Sequence, residues 1–307
     1  MADPMDSDAL DALLGQLASV RYQPRDITFL DGGLTNVNVR VKTIDLDVVV
    51  RISNEESTML AINREAEYLN SRAAAASGAS PRVVEFVPEH HLLVVDYIDG
   101  TTLTPTNLAD AATLSRAAES VRRLHQGPRF VSEFDMFDVQ RTYLKTVQER
   151  GYRLPDRYLE FMPQVERIEQ ALSAVDVPTV PCNNDLLAAN FIDDGDQIWI
   201  IDFEYAGNND PCFELGNIWS ESTLDAPLLD HLVTAYYGRE WPSRVARARL
   251  LGLMSKYGWT LWASIQDGNS DLDFDFWAWG MEKYDRAVEE FDSAAFDTWL
   301  TAAAAPD

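Results

Sequence analysis

Hydrophobic periodicity changes once along this 307-residue chain, and that change limits what it can fold into. Residues 27–30, 37–42 and 48–52 are β-branched runs separated by Gly32-Gly33 and by a turn at 45–47, the pattern of short antiparallel strands. Runs at 83–87 and 92–95 extend the same sheet. Between the two groups, residues 57–76 carry helix formers, with Ile62, Glu65 and Leu69 on one face. From Leu108 onward the period is helical, and helices are expected over 111–126, 141–152, 157–175, 228–237, 245–266 and 276–293. Asp210-Pro211 starts another as N-cap and first helical residue. A β-hairpin interrupts this half, with 191–192 and 198–201 joined by Asp193-Asp194-Gly195. The expected class is α+β: a small antiparallel sheet plus one helix at 1–97, then a larger, mainly helical part with a central β-hairpin at 98–307.

With 46% apolar residues the chain has ample material for a core. No apolar stretch approaches the roughly 20 residues of a transmembrane helix, and residues 1–10 are acidic where a signal peptide is basic. A cytoplasmic location without membrane insertion is expected. Two cysteines, Cys182 and Cys212, are too few for a disulfide framework, so reduced thiols are expected. Fifty acidic against twenty-five basic residues leave a net charge of −25, which disfavours nucleic acid and would attract a small cation. Such a surface also serves solubility.

The chemistry concentrates in one stretch. Asn183-Asn184-Asp185-Leu186-Leu187-Ala188-Ala189-Asn190 precedes the hairpin, whose second strand runs into Asp202-Phe203-Glu204-Tyr205. An acid, an amide five positions on and a second acid twelve beyond that form the spacing with which kinase-like enzymes supply a base and two Mg²⁺ ligands. Asp185 is the candidate base, and Asn190 and Asp202 the candidate metal ligands. Taken singly, each residue would suit a turn rich in Asn and Asp. In the first part, Gly33, Thr35 and Asn36 lie in a paired-glycine turn whose amides would cover phosphates, although a plain hairpin uses the same glycines. Arg51, ending the third strand, is the cation expected to hold the α- and β-phosphates, with Glu65 orienting it.

Gly32-Gly33-Leu34-Thr35-Asn36, Val50-Arg51-Ile52, the stretch from Asn184 to Phe191, and Ile201-Asp202-Phe203-Glu204-Tyr205-Ala206-Gly207 together resemble the choline/ethanolamine kinase family, within the aminoglycoside phosphotransferase-like group. The resemblance covers nearly the whole chain. It implies a bilobal protein-kinase-like fold, ATP with Mg²⁺ as donor, and Asp96, Tyr97 and Ile98 as the hinge that hydrogen-bonds adenine. One departure is Asn183, where the family usually has a His that braces the loop of the second metal ligand; Asn also donates one hydrogen bond.

An acceptor with a quaternary ammonium needs aromatic faces, each contributing roughly 0.5–2 kcal/mol. Trp259 and Trp262 share a helical face, in a segment similar to the family's substrate-pocket helix. Trp277, Met281, Tyr284 and Val288 form an apolar stripe on the next helix, which leaves Trp279 on the side of Glu282, Lys283 and Arg286. Trp279 matches the aromatic that closes the family's choline pocket, and an exposed dimer contact is its alternative role. Tyr205 adds a fourth ring near the base, and Glu221 a carboxylate for long-range attraction, unless it is a solvated helix end. These residues suggest phosphorylation of the choline hydroxyl, with Asp185 also touching the acceptor. Ethanolamine, thiamine or another aminoalcohol are alternatives, as is a catalytically silent sensor of ammonium compounds, acting as a monomer or homodimer. His125, His90 and His91 lack metal-ligand spacing.

Overall fold

The computed structural model describes residues 6–30, 36–53 and 62–306. After helix α1 (Ser7–Leu14), the chain builds a five-stranded antiparallel sheet from β1 (Asp26–Leu30), β2 (Asn36–Lys42), β3 (Asp47–Ser53), β4 (Val83–Val87) and β5 (Leu92–Asp96), in the order β1-β2-β3-β5-β4. Helix α2 (Arg64–Ser77) connects β3 to β4. The central strand β3 shows why the sheet has two uses. Its side chains alternate faces, so Val48, Val50 and Ile52 pack with Val39, Val41, Leu92 and Val94 against Leu10 and Leu14 of α1. Val49 and Arg51 face the other way, into a cleft.

After β5 come the short β6 (Thr101–Thr102) and the helices α3 (Pro105–Leu108), α4 (Ala111–His125), α5 (Met136–Arg150) and α6 (Met162–Ser173). Four three-residue strands follow: β7 (Val180–Cys182), β8 (Phe191–Asp193), β9 (Ile198–Ile200) and β10 (Gly207–Asn209). β8 and β9 form the expected hairpin, which β6 joins, while β7 pairs with β10. Gly100 lets the chain reach β6, because a Cβ there would stand 2.6 Å from the Asp193 carbonyl oxygen. The chain ends in α7 (Pro211–Glu221), α8 (Ala226–Tyr237), α9 (Pro242–Asn269), α10 (Phe276–Phe291) and α11 (Phe296–Ala303).

Helix α9 is buried around most of its circumference, as a central core helix must be. It crosses α7 at Gly216 and Gly252 with almost no separation: a Cβ on Gly252 would lie 2.6 Å from the Gly216 carbonyl oxygen. That contact brings Trp259 and Trp262 beside the loop after β7.

Several elements differ from expectation. α2 begins at Arg64, capped by the Asn63 side chain accepting from the amides of Glu65 and Ala66; residues 57–61 lie outside the described ones. Its inward face is Glu67, Asn70, Ser71 and Ala74, which leaves Glu65 and Leu69 exposed. The apolar face read from Ile62 was out of phase because α2 buries polar side chains. α5 starts at Met136, five residues before the expected 141, where Asp135 caps it. The helix expected over 157–175 splits into a 3₁₀ turn at Tyr158–Phe161 and α6. On α10 the buried face runs through Phe276, Gly280, Lys283, Tyr284 and Ala287 instead of the predicted stripe, and Trp277 lies under the Arg153 guanidinium.

Candidate active site

The loop between β7 and β8 is held from beneath. Glu214 of α7 accepts hydrogen bonds from the amides of Asn183 (2.8 Å) and Asn184 (2.9 Å), and Asn217 Oδ1 accepts from the Leu186 amide at 2.6 Å. Asn184 sits in the left-handed region (φ 70°), and its side chain donates to the carbonyls of Tyr205 and Gly207. Asn183 Nδ2 donates to the carbonyl oxygens of Ile201 (3.1 Å) and Asp202 (2.6 Å), tying this loop to the segment that carries Asp202. Asn thus makes the brace expected of a His. The Asn190 side chain donates to the Asp185 carbonyl at 2.7 Å, which leaves its Oδ1 for a cation.

Two cavities open here. One, of about 340 Å³, is lined by Val49, Arg51, Leu93 and Val95 of the sheet and by Asp96, Tyr97 and Ile98 of the linker. The other, of about 170 Å³, is lined by Asp185, Glu204, Tyr205, Glu221, Trp259, Trp262 and Trp279. Ala189, Asn190 and Asp202 line both, so the two spaces meet at the candidate metal ligands. Trp262 Nε1 donates to the Tyr205 hydroxyl at 2.9 Å, and edge-to-face contacts join Tyr205 to Trp259 (4.9 Å) and Trp262 to Trp279 (5.5 Å). These contacts join the four rings in one chain, Trp259–Tyr205–Trp262–Trp279.

The electrostatics are dominated by acids. Arg51 Nη1 donates to Asp202 Oδ1 (2.7 Å) and pairs with Glu67 Oε1 (2.8 Å), while Nη2 donates to Glu204 Oε2 (2.6 Å). Arg64 reaches Glu67 and Glu204, and Asn36 Nδ2 also donates to Glu204 at 3.1 Å. Enclosure raises the Asp185 carboxyl well above the ordinary range; Glu221, Asp202 and Glu204 add to this and Lys283 opposes it. Asp202 is pushed up to about 6, again mainly by enclosure, with Arg51 pulling the other way. A divalent cation here would relieve that crowding, and a carboxylate plus an amide oxygen are the hard donors Mg²⁺ prefers.

The structure thus brings together Asp185, Asn190, Asp202, Tyr205, Glu221 and the three tryptophans. Asp96, Tyr97 and Ile98 line the larger cavity, although the Asp96 carboxylate pairs with Arg82 and the Tyr97 ring lies 3.7 Å from the Arg40 guanidinium. Gly33 and Thr35 lie outside the described residues. Two expectations need correction. Glu65 does not orient Arg51; Glu67, two positions on and facing inward, does. The alternative for Glu221, a solvated helix end, does not hold, because Glu221 lines the cavity and its buried carboxylate pairs with Lys283. Sequence reasoning assigned no role to Glu67, Glu204, Glu214 or Lys283. Glu204 alone carried a signal, standing two residues after Asp202.

A sheet over a helical body, with the acidic Asn183 to Asn190 loop and a hairpin between them, defines a protein-kinase-like small-molecule phosphotransferase. Residues 27–240 match the family model described as choline/ethanolamine kinase, and the chain belongs to that family, whose members are ATP-dependent phosphotransferases. It is 26% identical over 269 residues to Protein LicA of Haemophilus influenzae (84% of this chain, 78% of that protein). It is also 26% identical to ethanolamine kinase 2 of Mus musculus (78% and 68%). A solved choline/ethanolamine kinase family protein from Mesorhizobium loti is 31% identical and superposes with a TM-score of 0.86, covering 97% of this chain and 98% of that one.

Proposed function

We propose that this chain transfers the γ-phosphoryl group of ATP to the hydroxyl of choline, giving phosphocholine, and that residues 1–97 and 98–307 work as its two lobes in the cytoplasm. The observation that carries this reading is the meeting of the two cavities at Asn190 and Asp202, one walled by apolar sheet residues and linker, the other by indoles and Asp185. Asp185 accepts the proton of the attacking hydroxyl. Asn190 and Asp202 would hold Mg²⁺, which when bound neutralises charge on the transferring group. Arg51, released from part of its carboxylate cluster, pairs with donor phosphate, and Glu67 keeps it in place. Tyr205, Trp259 and Trp262 present ring faces to a quaternary ammonium group that can donate no hydrogen bond, and Trp279 lines the same cavity.

One observation favours ethanolamine as a second reading: Glu221 Oε1 is buried without a hydrogen-bond partner among the described residues, an acceptor that a primary ammonium could satisfy and choline could not. A coupled assay of ADP release with Mg-ATP and choline, ethanolamine, thiamine or kanamycin decides between them. Choline should give the highest kcat/KM. A protein that binds choline yet releases no ADP with any acceptor would overturn the catalytic reading. Asp185→Ala should lower kcat by at least roughly a thousandfold with choline binding retained, and a variant keeping most of its rate would remove Asp185 as the base.

A further inference from the structure

Lys283 is the cation of α10 that is sealed inside the molecule, behind two residues that line the acceptor cavity. It is 4% exposed, its Nζ pairs with Glu221 Oε2, and it lies 4.1 Å from the centroid of the Trp279 ring. Trp279 and Lys283 are one helical turn apart on α10, so their contact needs little ordering. Both of its partners, Glu221 and Trp279, line the acceptor cavity.

We propose that Lys283 is a specificity-determining residue: a tethered ammonium held against Glu221 and Trp279, behind that wall of the acceptor cavity, which confines the acceptor's own cation to the Trp259–Trp262 side. This rests on the cationic-acceptor reading above. Glu221 offers an incoming cation no net attraction while Lys283 neutralises it, and the Lys283 charge repels a second ammonium placed on Trp279. The affinity of the site is therefore set below what its rings and carboxylate alone would give. The gain is discrimination, because a headgroup must fit the remaining indole pair.

The test measures choline and ethanolamine affinity by tryptophan fluorescence in the absence of nucleotide, alongside KM and kcat. Lys283→Met removes the charge while keeping the stem. It should tighten choline binding at least roughly fivefold, on the scale of one cation–π contact regained, and lower KM by a similar factor. Lys283→Arg, which keeps a cation against Glu221, should bind choline within roughly twofold of the wild type. Glu221→Gln combined with Lys283→Met keeps the pair neutral, and should bind choline as tightly as the wild type or more tightly. Unchanged or weaker binding by folded Lys283→Met overturns the proposal. If that variant does not fold, a more than fivefold loss in the double variant overturns it equally, since Glu221 would then be attracting the acceptor directly. A wild-type protein that binds neither ammonium compound sinks the acceptor reading and this inference with it; one that phosphorylates choline while Lys283→Met changes nothing sinks this inference alone.

Discussion

Asn183 works through two hydrogen bonds from one amide, to the carbonyls of Ile201 and Asp202, and through its own amide held by Glu214. Its side chain is fully buried, so removing it leaves two carbonyl oxygens unpaired in the interior. Asn183→Ala should lower stability by about 1–3 kcal/mol and reduce kcat more than it raises KM for choline, because the segment carrying Asp202 loses its tie. Asn183→His retains a donor and should recover most of the rate. Melting temperature and steady-state kinetics of both variants check this, and an alanine variant with wild-type kcat would show that the tie has no part in turnover. Arg51 offers a second lesson at this scale. Strand alternation sends it into the cleft, yet the acid that holds it there is set by the phase of α2, which begins only after the Asn63 cap.

Among the elements, the crossing of α7 and α9 has the most leverage on the site. α7 supplies Glu214 and Asn217 beneath the proposed catalytic loop and Glu221 beside the proposed acceptor cavity, while α9 supplies Trp259 and Trp262. The two helices meet backbone to backbone at Gly216 and Gly252, so a methyl group there has nowhere to go. Gly252→Ala should destabilise the protein by about 1–3 kcal/mol or more, and by parting the helices it should raise KM for the acceptor more than KM for ATP. A denaturant midpoint and acceptor KM equal to the wild type would show that the crossing yields without consequence. Helix periodicity announced a helix over 245–266 but was silent on the crossing, since small residues carry no amphipathic signal.

For the molecule as a whole, burial of acidic protons ties stability to alkaline pH. Enclosure raises the thiols of Cys182 and Cys212 above their usual 9.0 and the phenols of Tyr143, Tyr158, Tyr205 and Tyr257 above 10.0. As pH climbs past these usual values the unfolded chain releases protons that the folded chain keeps, and the equilibrium moves toward unfolding. Stability from these groups is therefore complete below about pH 9 and lost progressively above it. The melting temperature should hold between pH 7 and 8.5 and fall steeply by about pH 10.5, and the native thiols should resist a disulfide reagent that titrates both in denaturant. A flat melting temperature across that range would contradict the linkage. No helix among the described residues is long and apolar enough to cross a membrane.

What the sequence alone determined is local in origin. Period-two runs set the strands and turned Arg51 into the cleft, long 3.6-residue periodicity set most helices, and the spacing from Asp185 through Asn190 to Asp202 marked one loop and one hairpin as the chemical centre. Those signals survive because they depend on neighbours a few residues away. Only the tertiary structure decided which acid holds Arg51, that Glu214 carries the loop from Asn183 to Asn190, and that Lys283, packed against the Trp279 ring, pairs with Glu221. Each of these is a contact between elements 16 to 62 residues apart in the chain. A buried charge finds its partner through packing geometry, which no local pattern of residues encodes.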